Sequence, residues 1–150
     1  MGEGETFFTV VGCMDGRIQK PLAELGTRLT GAEHPDTLTH PGMVGFLADP
    51  DITSTEVFER IVQGLNISTQ GHKTKGVLVA GHEECLGYPV EDDNHRKTTV
   101  RAAEKIKHWF RKLDVHAAYV GREPSGLWTA RVLPMEPGKE YLVNPSPTVN

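Results

Sequence analysis

Two short polar motifs hold the only cysteines of the chain: Cys13-Met14-Asp15-Gly16-Arg17 and His82-Glu83-Glu84-Cys85. Together they offer two thiolates and one imidazole, a soft donor set suited to Zn2+. Three protein ligands (Cys13, His82 and Cys85) leave one tetrahedral position open, the mark of a catalytic rather than a closed structural zinc. Two thiolates cancel the formal charge of the ion, so bound water is acidified less than it would be by neutral imidazoles alone. A further group is then useful. Asp15 could accept a hydrogen bond from metal-bound hydroxide or could itself take the fourth position, and Arg17 would decide between these by holding the carboxylate in a bidentate pair. Taken singly, each residue has a plainer reading, since a lone cysteine is usually a small buried hydrophobe and an Asp–Arg pair can simply cap a helix. Their occurrence together favours a metal centre with chemistry beside it.

The elements that must carry these residues are legible nearby. Residues 6–12 (TFFTVVG) and 76–81 (GVLVAG) are apolar, β-branched runs closed by glycine, the pattern of strands covered on both faces of a parallel sheet. Each runs directly into one motif. Thr53-Ser54-Thr55-Glu56 has capping-box spacing, followed by Phe58, Ile61, Val62 and Leu65 at helical intervals. A second apolar stripe, Val100, Ala103, Ile106, Phe110 and Leu113, predicts another helix, with Arg101, Glu104, Lys105 and Lys112 elsewhere on the cylinder. A strand over 115–120, a turn at Arg122-Glu123-Pro124-Ser125-Gly126 and an edge strand over 127–133 follow. A short helix over 21–25 ending at Gly26 and a brief strand over 37–39 complete the expectation. Strands alternating with helices imply an α/β fold, a single domain with a mostly parallel open sheet flanked by helices. Ligands of such sheets bind beyond the carboxyl ends of the strands, where both motifs fall. The domain is expected to span 1–150, with its core at about 6–133 and an extended Pro-rich tail over 134–150.

Composition narrows the partners. The net charge is -4, and the basic residues are scattered, so no footprint for nucleic acid or an acidic membrane is present. The start has no basic segment ahead of an apolar run, and no stretch approaches the about 18 apolar residues of a membrane span, so a cytoplasmic protein is expected. In a reducing compartment two thiols are ligands or nucleophiles rather than a disulfide.

The motif pair Cys13-x-Asp15-x-Arg17 and His82-x-x-Cys85 resembles that of the β-class carbonic anhydrases, and the order of elements follows that family from about residue 6 to residue 133. The resemblance implies reversible hydration of carbon dioxide to bicarbonate by zinc-bound hydroxide, with Cys13, His82 and Cys85 as metal ligands and Asp15 with Arg17 as the catalytic dyad. It also implies a homodimer or higher homo-oligomer, because pockets in the family commonly lie between subunits. Three departures stand out. Thr39-His40-Pro41-Gly42-Met43 replaces a segment that often reads Arg-Asn-Ala-Gly-Gly, Leu86 replaces a glycine and is expected to narrow the room beside the metal, and only six residues precede the first strand. Related members hydrolyse carbon disulfide or carbonyl sulfide, so such a hydrolase, or a non-catalytic zinc-stabilised or bicarbonate-sensing module, are the alternatives.

Other residues carry weaker signals. His40, in the Pro-Gly loop, is a candidate proton relay, histidine being the residue type suited to passing protons in the neutral range. Glu83 and Glu84 read as solvated loop carboxylates, and His34, His72, His95, His108 and His116 as surface or helix positions. The Gly71-His72-Lys73-Thr74-Lys75-Gly76 segment lacks the Gly-Lys-Ser/Thr ending of a phosphate loop and precedes a strand. A thiol redox pair of Cys13 and Cys85 is an outsider.

Overall fold

In the computed structural model, which describes residues 3–135, five strands form one sheet in the order β2-β1-β3-β4-β5. The strands are β1 (Phe7–Gly12), β2 (His34–Thr39), β3 (Val77–His82), β4 (Val115–Arg122) and β5 (Trp128–Leu133). The first four are parallel, and β5 returns antiparallel along β4, closing that edge as a hairpin. The interior strands β1 and β3 are buried on both faces, which is why their sequences read as unbroken apolar runs. Most of the expected Pro-rich tail lies outside the described residues.

Side-chain alternation assigns each face its own core. Phe8, Val10, Leu78, Ala80, Ala118 and Val120 pack with Ile18, Leu22 and Leu25 of helix α1 (Gly16–Thr30). Val11, Val77, Val79 and Ala117 face the opposite layer of α2 (Met43–Ala48), α3 (Glu56–Asn66) and α4 (Asp92–Trp109), with Leu47, Phe58, Leu65, Ile106 and Trp109 beneath it. The chain leaves β1 for β2 on one side and returns to β3 on the other. The reversal of strand order therefore falls between β1 and β3, and opens a crevice at their carboxyl ends.

Several boundaries differ from the sequence expectation. α1 begins five residues before Pro21 and runs past Gly26, carried by the stripe Ile18, Leu22 and Leu25. Gly26 does not end the helix. A Cβ at that position would run into the Phe8 ring, so this glycine lets α1 lie close over β1. The helix stops instead at Gly31, whose φ of 74° is the left-handed conformation glycine adopts without strain. β2 starts three residues earlier than expected, tolerating Pro35 because it is an edge strand. The N-cap of α3 is Thr55, whose hydroxyl accepts from Phe58 N at 3.1 Å, so the box from Thr53 to Glu56 is not used. α4 begins at Asp92 and ends at Trp109, and Lys105 is not on its solvent side but buried, its ammonium donating to the Asp49 carbonyl at 3.0 Å. His72, read as a surface or helix position, is half-buried, pairing with Asp36 at 2.7 Å and stacking on Phe7 at 4.0 Å.

Candidate metal centre

Cys13 follows the last residue of β1, and His82 is the last residue of β3, so the strand-order reversal sets them side by side. Cys85 arrives from the tight loop after β3. One ligand atom each from Cys13, His82 and Cys85 lies within 4.8 Å of the others, and the two Sγ atoms are 3.9 Å apart. All three residues are buried, His82 at 1% exposure. The imidazole is fixed from one side: Nδ1–H donates to the Glu83 carbonyl at 2.7 Å, which leaves the Nε2 lone pair as the free donor. Nε2 is buried without a hydrogen-bond partner, a costly state for a polar atom unless something binds there. Burial lowers the His82 pKa, keeping the ring in the neutral form that ligates metals. For Cys85, burial first and the neighbouring Cys13 second push the thiol pKa up. A divalent cation reverses that balance, because a coordinating thiol is deprotonated outright. The donor set and the orphaned nitrogen fit a soft metal ion.

Asp15 and Arg17 are brought to the same place by the start of α1. Asp15 is the N-cap, its Oδ1 accepting from Arg17 N at 2.9 Å and from Nε at 3.1 Å, while Oδ2 accepts from Nη2 at 2.7 Å. Arg17 thereby holds the carboxyl far below its usual range, at about 2, and the arginine's own pKa is raised in return. Asp15 Oδ2 stands 4.0 Å from His82 Nδ1, and the carboxylate is turned to the guanidinium. Gln19 secures the turn between ligand and dyad, its amide donating to the Cys13 carbonyl at 3.0 Å and to that of Asp15 at 2.8 Å.

Some expectations change here. Leu86 does not narrow the room beside the ligands: its side chain is 95% exposed. The glycine required by the loop comes one residue later, at Gly87, whose backbone lies against Gly42 so closely that a Cβ on either would collide with the other. Glu83 and Glu84 are not merely solvated. Glu84 accepts from Arg17 Nη1 at 3.1 Å and from Arg122, and Glu83 accepts from the Arg122 backbone N–H at 3.3 Å. His95 is 2% exposed, its ring facing His82, Tyr88 and Tyr119. His40 donates its backbone N–H to the Gly12 carbonyl at 3.2 Å, which brings the Pro-Gly loop to the end of β1, but its ring lies against Phe46 rather than bonded to the ligands.

A cluster of cysteine and histidine donors in the switch-point crevice of an open, mostly parallel sheet defines a protein of the α/β class with a candidate metal site. Residues 3–128 match the family described as putative carbonic anhydrases, and the chain belongs to that family. No curated protein matches it. Among the described residues no helix is long and apolar enough to cross a membrane.

Proposed function

We propose that the protein is a zinc lyase that hydrates carbon dioxide reversibly to bicarbonate, with Cys13, His82 and Cys85 as the ligands. The observation that carries this reading is the buried, unpartnered Nε2 of His82 beside two thiols, with the Asp15–Arg17 pair adjoining. When bound, zinc supplies a Lewis acid that brings the acidity of coordinated water toward neutrality. The remaining work falls to the chain. Asp15, with its pKa at about 2, is a carboxylate throughout the neutral range and so acts only as an acceptor. Its Oδ1 is taken by two Arg17 donors, whereas Oδ2 has one and keeps acceptor capacity for a reacting water. Arg17 fixes the angle of that acceptor.

The protein acts as a homodimer or higher oligomer in this reading. Met14 and Leu86, each adjacent to a ligand, are 62% and 95% exposed, and Leu127 is 65% exposed. Such side chains at the rim of a site suit burial against a second subunit. A cytoplasmic location fits the two thiols, which are free of any disulfide and need a reducing environment to remain ligands.

Stopped-flow hydration of carbon dioxide between about pH 7 and 9, the range of zinc-bound water, tests the proposal. Zinc-loaded protein should turn over carbon dioxide, and Asp15→Ala should lose most of that rate while retaining zinc. Sulfide release from carbon disulfide or carbonyl sulfide with negligible hydration would replace the substrate, and full zinc with neither activity would replace the enzyme by a binding module.

A further inference from the structure

Arg17 has more partners than a dyad needs. Its Nε and one Nη2 hydrogen serve Asp15, but Nη1 donates to Glu84 Oε1 at 3.1 Å, and Nη2 also donates to the Glu84 carbonyl at 3.3 Å. Glu84 lies in the loop between the ligands His82 and Cys85, so this contact ties the two metal motifs together across 67 positions of sequence. Its backbone has φ 55°, an unusual conformation for a residue with a side chain, and one that must be held by its surroundings. The hold extends outward. Arg122, at the end of β4, donates to Glu84 Oε1 at 3.3 Å and lies 3.2 Å from Oε2. The Trp128 ring, from β5, lies under both guanidinium groups, 4.4 Å from Arg17 and 5.1 Å from Arg122.

We infer that Glu84, anchored by Arg122 over Trp128, is a positioning residue that holds the Arg17 fork toward Asp15 and so keeps the aspartate off the metal. The inference rests on the metal reading above. Arg17 alone is a long side chain whose rotamers must be frozen before it can take a carboxylate in two places. Glu84 and Trp128 freeze them in advance, so the bidentate pair with Asp15 forms without that loss. Without Glu84, the pair weakens and Asp15 spends more time as a metal ligand. An exogenous anion that needs the same position then binds more weakly, in proportion to the fraction of open sites.

Cobalt(II)-loaded protein, titrated with thiocyanate and followed by visible absorption, reads that fraction directly. The three side chains of the outer cluster are partly exposed, at 37% for Arg17, 52% for Glu84 and 46% for Arg122, so each pair is worth a modest factor. Glu84→Gln should weaken thiocyanate binding by about twofold to fivefold, and Arg122→Gln by a smaller factor in the same direction. Asp15→Asn should bind thiocyanate at least as well as the wild type, and adding Glu84→Gln to it should change nothing, because the effect passes through Asp15. Equal affinities in wild type and Glu84→Gln overturn the inference, as does an undiminished Glu84 effect in the Asp15→Asn background, which would make Glu84 a support of the ligand loop only. A wild-type chain that takes up cobalt without thiolate charge-transfer bands overturns the metal reading itself, a result separable from both.

Discussion

Replacing Gly42 by alanine perturbs the contact that joins the two loops around the candidate metal centre. Gly42 is the N-cap of α2 with φ 61°, and a Cβ there would run into the carbonyl group of Gly87, two residues past the ligand Cys85. Gly87 is blocked reciprocally, a Cβ on it standing 2.7 Å from the Pro41 carbonyl carbon. Forcing alanine into the left-handed region costs roughly 1–2 kcal/mol. Prising apart two packed backbones adds about 1–3 kcal/mol, since no side-chain rotamer can relieve the overlap. Gly42→Ala should therefore cost about 2–5 kcal/mol, a large share of the ~5–15 kcal/mol by which domains are stable. Gly16 is the control. It stands between Asp15 and Arg17, yet a Cβ there meets nothing within 4 Å, so Gly16→Ala should be neutral or stabilise by up to about 1 kcal/mol. Urea denaturation measures both, and chelator competition measures whether the displaced Gly87 drags Cys85 and weakens zinc binding. A Gly42→Ala protein within about 0.5 kcal/mol of wild type, with unchanged zinc affinity, would refute the reasoning.

Acid should destabilise the metal-free protein through His95. Burial, aided by neighbouring His82 and opposed by Asp92, lowers its pKa from 6.5 to about 4, so the unfolded chain binds the proton more tightly. Stability is then complete above pH 6.5 and falls as pH drops toward 4, by about 2 kcal/mol between pH 7 and 5. Denaturation of His95→Gln at both pH values should show a correspondingly smaller drop, and an equal drop contradicts the assignment. Zinc removal should raise the reaction rate of Cys13 and Cys85 with a disulfide reagent severalfold, since coordinated thiolates are poorly available; equal rates with and without metal would place the thiols outside the centre. Leu86→Ser, at a side chain 95% exposed, should leave the unfolding midpoint of the subunit unchanged while shifting sedimentation toward monomer; an unaltered oligomer removes Leu86 from the interface.

What the sequence revealed and what it hid follow from the range of the interactions involved. β1 and β3 were legible because strands buried on both faces leave an unbroken apolar run, and their glycine ends led straight to Cys13 and His82. The start of α1 was hidden by Pro21 and Gly26, which read as punctuation although Ile18, Leu22 and Leu25 already formed a stripe. The cap at Thr55 was misplaced by two residues because Thr53 offers the same chemistry. Asp15 and Arg17 could be paired from their spacing alone, being local. Glu84, Arg122 and Trp128 could not, because their meeting depends on the parallel pairing of β3 with β4 and the return of β5. Burial of His95 and Lys105 was likewise invisible, since charged or polar residues on a helix read as solvent-facing until the neighbouring layer is known.

The central claim is that one zinc held by Cys13, His82 and Cys85 hydrates carbon dioxide. It is tested most directly by titrating metal-free protein with zinc and measuring the hydration rate against zinc bound. The rate should rise linearly to one zinc per chain and then stop, and it should be absent from a Cys85→Ser variant. Full occupancy of this site without hydration would contradict it.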